Sequence, residues 1–441
     1  MYECIIYVYE NSVFQKGVII KMAVSNGYIK LNFERVSADE QFSRVEHYVQ
    51  TMEKRKIVRS FSDRPVSEKL VEKAIETAGR APSGANQQPW TYVLIKDPVI
   101  KKEIRKAAEL EDENSGNKQY LEDAPYLVAL FRINYGLAKQ ADGSLKKVRH
   151  YYVPESTPLS GGFFLAALQH AGLDCLVHAP VAASQQILHR PKNEKPLLLF
   201  AVGYAKDQAL GCTGKPLSDI VISNASFSNS VSSASNEGET LIVNDETQLA
   251  AIESYFQFMK KRRNVRQYAR ENVDINLLHQ AMRAVAIDPF GGEQPYRFAI
   301  VSNNEQKQKI RELAEIEEVK LYQERISDEW REALAPLGTN ESKPHLTDAA
   351  HLVVAFYDTN ERNNFALERA SMAVGILMGA LHHAGLCTLT YTPSPMAFLR
   401  DYLERPKNEM PFIVLPVGYP AADCEVPNIT KKPLSEVLVK F

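Results

Sequence analysis

The sequence predicts an α+β protein made of two tandem copies of one domain, and three observations lead there. The segment "HRPKNEKPLLLFAVGYA" (His189 to Ala205) returns as "ERPKNEMPFIVLPVGYP" (Glu404 to Pro420). Around it, helical periodicity alternates with short apolar runs, and no GxGxxG turn joins a strand to a helix, which argues for an α+β sandwich over a dinucleotide fold. The chain is 441 residues long, room for two or three domains at about 150 residues each.

In chain order, residues 1–45 read as an N-terminal extension. Its start, "MYECIIYVYENSVFQKGVIIKM", is interrupted by Glu3, Glu10, Asn11, Gln15 and Lys16, so neither a signal peptide nor a membrane span is expected. Met22 precedes a more ordinary beginning, and the residues before it are expected to matter little to the structure. Residues 46–222 form the first domain and 251–441 the second. Each copy opens with a helix after "SFSDRPV" or "QYARENV", where Ser67 and Asp274 stand as N-caps ahead of apolar residues at three-to-four spacing. A strand ("TYVLI", "RFAIV") and a helix follow, then a buried strand ("YLVALF", "HLVVAF"). A long helix ending in "HAGL" and a closing strand ("LLLFAVGY", "FIVLPVGY") complete the copy.

The repeat covers most of the chain. Arg55 to Trp90 aligns with Arg262 to Tyr296, with Arg59 facing Arg266 at an offset of 207. "LAALQHAGL" (Leu165 to Leu173) faces "MGALHHAGL" (Met378 to Leu386) at 213, and Gly203 faces Gly418 at 215. Two copies are too few for a solenoid, and each is long enough to fold. Between them, residues 223–250 include a Ser/Asn-rich stretch expected to be a flexible tether.

Composition excludes several functions. A formal net charge of -2 with intermixed signs gives nothing to steer the chain to nucleic acid or an anionic membrane. Five scattered cysteines without CxxC or His/Cys spacing suit a reducing, cytoplasmic setting and no metal site.

The ordered motifs, namely the Arg-rich opening, "APSGANQQPW", "ALHHAGL" before "TYTP", the "RPKNE" and "PVGYP" segments and a terminal "KKPL", resemble the FMN-dependent nitroreductase superfamily in its iodotyrosine deiodinase branch. The resemblance spans roughly 55–222 and 258–441. It implies a nitroreductase-like sandwich in each copy and a flavin at the interface of two copies. The fused chain would then be an intramolecular pseudo-dimer that needs no obligate second subunit.

The resemblance also assigns sites unequally. It places the flavin phosphate and ribityl chain on Arg262, Arg263, Asn264 and Arg266, and a C-terminal phosphate contact on Lys431; guanidinium groups match phosphate oxygens in bidentate geometry. Thr390, Tyr391 and Thr392 form the loop against the flavin, with the hydroxyls of Thr390 and Thr392 as the catalytic candidates near N5. The first copy has Arg55, Lys56 and Arg59, but Val177 and Ala179 for the threonines and Gly214 for the lysine. Conversely, the first copy keeps Pro82, Ser83 and Gly84, small enough for close approach to the flavin, with Ala85 at the substrate. There the second copy has Phe290. One composite site, and one FMN per chain, is expected.

From Pro89/Pro295 to Phe131/Phe356 the offset rises from 206 to 225, so the second copy carries 19 extra residues. The resemblance makes this a lid whose Glu318, Tyr322 and Lys343 grip the ammonium and carboxylate of an amino acid; Glu318 and Tyr322 share a helical face at i, i+4. The implied function is reductive dehalogenation of a halotyrosine, a small aromatic substrate, with NAD(P)H or another reductant as electron donor. The alternatives are a broad NAD(P)H-dependent nitroreductase and a flavin-binding protein without turnover.

Overall fold

The computed structural model describes residues 3–6, 18–21, 27–112, 116–140, 142–206, 214–223, 244–292, 294–360 and 365–441. Most of the Ser/Asn-rich tether, residues 224–243, lies outside the described residues.

Each half builds a five-stranded sheet of the same order. In the first half Trp90–Ile95, Tyr126–Ile133, Glu194–Gly203 and Asp174–His178 pair antiparallel in that sequence. In the second, Tyr296–Val301, His351–Asp358, Glu409–Gly418 and Cys387–Thr388 repeat it. The fifth strand comes from the other half. Leu438–Lys440 runs parallel to Trp90–Ile95, and Val221–Ser223 runs parallel to Tyr296–Val301. Each copy thus ends by completing its neighbour's sheet.

Behind the sheets, the central helices Val153–His170 and Ala366–His383 pack on each other. Both are apolar nearly all round, as helices buried on every side must be. Glycine sets their separation: a Cβ on Gly162 would fall 2.2 Å from the Met372 carbonyl oxygen, and one on Gly375 would fall 2.5 Å from that of Leu159.

The first helix of each copy also crosses over. Ala38–Glu53 packs on Ile275–Met282 and Ala366–His383, while Asp245–Met259 packs on Glu68–Ala78 and Val153–His170. The contacts recur with the halves exchanged. Gln41 Nε2 donates to Ala384 O at 2.7 Å and its Oε1 accepts from Tyr419 at 2.9 Å; Gln248 Nε2 donates to Ala171 O at 2.6 Å and its Oε1 accepts from Tyr204 at 2.7 Å.

Three expectations change here. Domain limits at 45/46 and 250/251 cut through the helices Ala38–Glu53 and Asp245–Met259, because these helices belong to their own copy in sequence but pack on the other in space. The limit at 222 divides the strand Val221–Ser223, which completes the second half's sheet. The N-terminal extension is also built into the structure. Glu3–Ile6 and Val18–Lys21 join the hairpin Tyr135–Lys139/Leu145–Arg149 in a four-stranded sheet, and Tyr28–Lys30 pairs with Glu425–Pro427. No described helix is long and apolar enough to cross a membrane, and no metal-holding cluster occurs among the described residues.

Candidate active site

The helix Asp245–Met259 delivers Arg262 to Arg266 to the interface between the halves. Val265 N donates to Thr388 O at 3.1 Å, pinning this loop along the edge strand Cys387–Thr388. That register lets Asn264 Nδ2 donate to Thr390 Oγ1 at 3.3 Å while its Oδ1 accepts from Arg262 Nη1 at 3.2 Å. Arg262 Nη2 reaches the Arg80 carbonyl of the first half at 3.4 Å, and its buried Nε has no partner. Lys431 Nζ donates to the Ala81 carbonyl at 2.6 Å.

Arg262, Arg263, Arg266 and Lys431 make no ion pair among the described residues; the contacts of Arg262, Arg263 and Lys431 go to carbonyls and an amide. Burial, then Arg263, lowers the Arg262 pKa to about 10. Burial, followed by Arg262, Arg80 and Arg263, pushes Lys431 well below the usual lysine range. Cations gathered out of water without a carboxylate are costly until an anion joins them. The arrangement therefore asks for an anionic ligand in the cavity of about 280 Å³ that it lines.

Pro82 and Ser83 from the first half separate this cavity from a second of about 130 Å³, and both cavities also touch Asn264 and Arg266. Ser83 Oγ accepts from Gln88 N at 2.9 Å, and Asn86 Nδ2 donates to Thr430 O at 3.0 Å, holding the loop across the halves. Ala85, at the mouth of the second cavity, takes a left-handed φ of 48°. Gly84 lines that cavity too, and its smallness also serves packing, since a Cβ there would lie 2.5 Å from the Tyr151 carbonyl oxygen.

The extra residues of the second half close the smaller cavity. The helix Asn304–Lys320 continues through Leu321–Arg325 and is followed by Asp328–Leu334. Glu318, Tyr322 and Lys343 come together as expected: Lys343 Nζ lies 3.1 Å from Glu318 Oε2 and 5.6 Å from the Tyr322 ring centroid. The two charged side chains are only 3% and 7% exposed, so this is an interior ion pair facing a cavity. Burial lowers the Lys343 pKa, and Glu318 works against that shift.

Several contacts here were not foreseen from the sequence. Tyr391, expected at the cofactor, sends its hydroxyl to Glu318 Oε1 at 2.8 Å. His345 packs edge-on against Tyr391 at 5.3 Å, and burial, then Arg266, lowers its pKa to about 3. Trp330 on the lid stacks on Tyr151 of the first half at 4.5 Å, and Lys146–Glu329 pairs beside it at 2.8 Å. Tyr152 donates to Thr392 O at 3.1 Å, so Thr392 meets the first half through its backbone. A signal for this docking existed: the offset falls from 225 at Phe131 to 213 at Leu165, so the first half carries 12 residues of its own there, which the hairpin occupies.

The quasi-equivalent place in the other half is filled by protein. Arg55, which aligns with Arg262, donates to the carbonyls of Pro289 (2.6 Å), Ile287 (3.4 Å) and Asp288. Ile57, in the place of Asn264, lies where a Cβ on Gly291 would be, 2.2 Å from its Cδ1. Phe290 stacks parallel to Phe365 at 6.3 Å beneath Arg369, and Lys215 N donates to Ala286 O at 3.0 Å beside Gly214.

The sequence model of the nitroreductase family matches residues 52–204 and 259–419, once in each half. An iodotyrosine deiodinase of Haliscomenobacter hydrossis is 40% identical over 205 residues, covering 44% of this chain and 92% of the relative. One of Nematostella vectensis is 36% identical over 215 residues (43% and 80%), and iodotyrosine deiodinase 1 of Homo sapiens is 34% identical over 219 residues (44% and 74%). A solved structure described as oxidized iodotyrosine deiodinase bound to FMN and 3-iodo-L-tyrosine is 28% identical, with a TM-score of 0.37, covering 41% of this chain and 94% of its own.

Proposed function

The chain belongs to the nitroreductase family, and from that premise we propose that it is an FMN-dependent oxidoreductase with one composite active site between its halves, removing halogen from a halotyrosine. The observation that carries the reading is the junction of two features. A cluster of Arg262, Arg263 and Lys431, with no carboxylate paired to it among the described residues, adjoins a cavity whose wall includes the buried Glu318–Lys343 pair. The relatives named iodotyrosine deiodinase support the substrate class.

The residues present fit FMN. The unpartnered Arg262 Nε and the cations without carboxylates suit a phosphate monoester. Asn264 and Arg266 reach from that cavity into the next, where Thr390 would offer its hydroxyl and Pro82 to Gly84 would face from the first half. When bound, FMN supplies the two electrons that, with a proton, replace a carbon–halogen bond by carbon–hydrogen and release halide. NAD(P)H or another reductant would restore it.

The remaining work falls to the chain. Without substrate, Glu318 and Lys343 satisfy each other. An amino-acid head entering between them gives Glu318 an ammonium, and gives Lys343 and Tyr322 a carboxylate. The exchange conserves charge, so neither group is left buried and alone. Trp330, stacked on Tyr151, holds the lid down and keeps water out.

Anaerobic reoxidation of the reduced, flavin-loaded protein tests the reading. 3-Iodotyrosine should reoxidise it and release iodide, whereas 2-iodophenol, with no zwitterion to place, should do so poorly. Equal rates for the two, or rapid reoxidation by nitroaromatics alone, would favour the broad nitroreductase.

A further inference from the structure

The cavity that gathers Arg262, Arg263 and Lys431 has a further guanidinium in its wall, that of Arg80, and it belongs to the other half. Arg80 lies at the end of the first turn after the helix Glu68–Ala78, just ahead of Pro82. Its backbone is clamped at the site: the Arg80 carbonyl accepts from Arg262 and the next carbonyl, of Ala81, accepts from Lys431. Its side chain is half-buried, its Nε has no partner, and no carboxylate pairs with it among the described residues. Glu76, an acid acting on it, pairs with Lys73 at 2.7 Å. The Phe256 ring lies 5.8 Å away and favours a cation as well.

We infer that Arg80 is a phosphate ligand contributed across the halves, so that the phosphorylated end of the flavin is held by both copies at once. The inference rests on the flavin reading above. A further cation beside Arg262, Arg263 and Lys431 is repulsive until an anion joins them; burial lowers its pKa, with Arg263 adding to the effect. A phosphate dianion reverses the sign of that interaction. The other copy agrees: at the 207 offset Arg80 faces Ile287, 7% exposed, whose half-site has its cation, Arg55, bound to carbonyls. The cation is present where an anion cavity is open and absent where protein fills the place.

Fluorescence titration of the apoprotein with FMN and with riboflavin, which lacks the phosphate, tests this without relying on turnover. Arg80→Gln should weaken FMN by about tenfold or more, the scale of one charge-assisted hydrogen bond, while leaving riboflavin affinity unchanged. Arg80→Lys should recover part of the preference for FMN, and serves as the second variant if the glutamine protein folds poorly. Losses of equal size for both flavins, or no loss for either, would overturn the inference and reduce Arg80 to a cation packed on Phe256. Wild-type protein that binds neither flavin would overturn the flavin reading itself, and this inference with it.

Discussion

Arg55 and Arg262 occupy the same place in two copies of one loop, and they do opposite things. Arg55 is buried, 4% exposed, and its guanidinium donates to three carbonyls of the 287–289 turn. Arg262 reaches one carbonyl of the matching turn, at 3.4 Å, and keeps its Nε without a partner. A few substitutions account for the difference. Ile57 in place of Asn264 removes the link to the threonine loop, and Phe290 in place of Ser83 fills the approach. A duplicated binding loop can thus become a structural clasp when the protein's own carbonyls replace the ligand's oxygens.

The two arginines should therefore fail differently. Arg262→Ala should lower FMN affinity by about tenfold to a hundredfold, from the loss of a charge-assisted contact, with little change in melting temperature of the apoprotein. Arg55→Ala should leave FMN affinity near wild type but destabilise the fold by roughly 1.5 to 3 kcal/mol, because three buried acceptors lose their donor. Fluorescence titration and denaturant melts of both variants check this; a matched pair of losses would erase the distinction.

A second way to break the comparison is to copy one site into the other. Ser83→Phe introduces what Phe290 already does, and should abolish flavin binding by overpacking the wall shared by the two cavities. Normal FMN binding in this variant would remove Ser83 from the site. On the lid, Glu318→Gln leaves Lys343 without its carboxylate and should raise KM for iodotyrosine about tenfold or more, with a much smaller change for iodophenol. Steady-state kinetics on the two substrates reads the contrast directly.

Where the halves behave alike, the expected effect falls on stability and not on binding. Tyr48 and Tyr255, related by 207, and His170 and His383, related by 213, form one buried stack, with His170 on Tyr255 at 3.9 Å and Tyr48 on His383 at 4.8 Å. Burial depresses the His170 and His382 pKa values to about 4 and drives His383 well below its usual value. Below about pH 6.5 the unfolded chain takes up protons that these folded histidines refuse, so stability should fall from there toward pH 4, by up to about 1.4 kcal/mol per pH unit per histidine. Urea melts at pH 7, 5.5 and 4.5 should show the decline, and His170→Phe should lessen it.

Much of this was legible in the chain, for reasons that differ by element. The repeat, the strands and the central helices follow from apolar runs and periodicity, which short-range pattern records faithfully. The grouping of Glu318, Tyr322 and Lys343 was legible only through family resemblance, since Lys343 lies 21 positions beyond Tyr322. The exchanged strands Val221–Ser223 and Leu438–Lys440 were not legible, because nothing local says which sheet a three-residue strand completes. The same holds for Tyr391, whose hydroxyl finds Glu318 only after the lid has folded over it.

The central claim is that one of two homologous sites has closed on itself, and counting flavin tests it most directly. Protein reconstituted with excess FMN, freed of unbound flavin and examined by native mass spectrometry alongside its absorbance, should carry one FMN per chain. It should do so in a species of a single chain as readily as in any larger assembly. Two tightly held FMN per chain would mean that Arg55 can release its carbonyls and that the asymmetry between the halves is not what decides flavin binding.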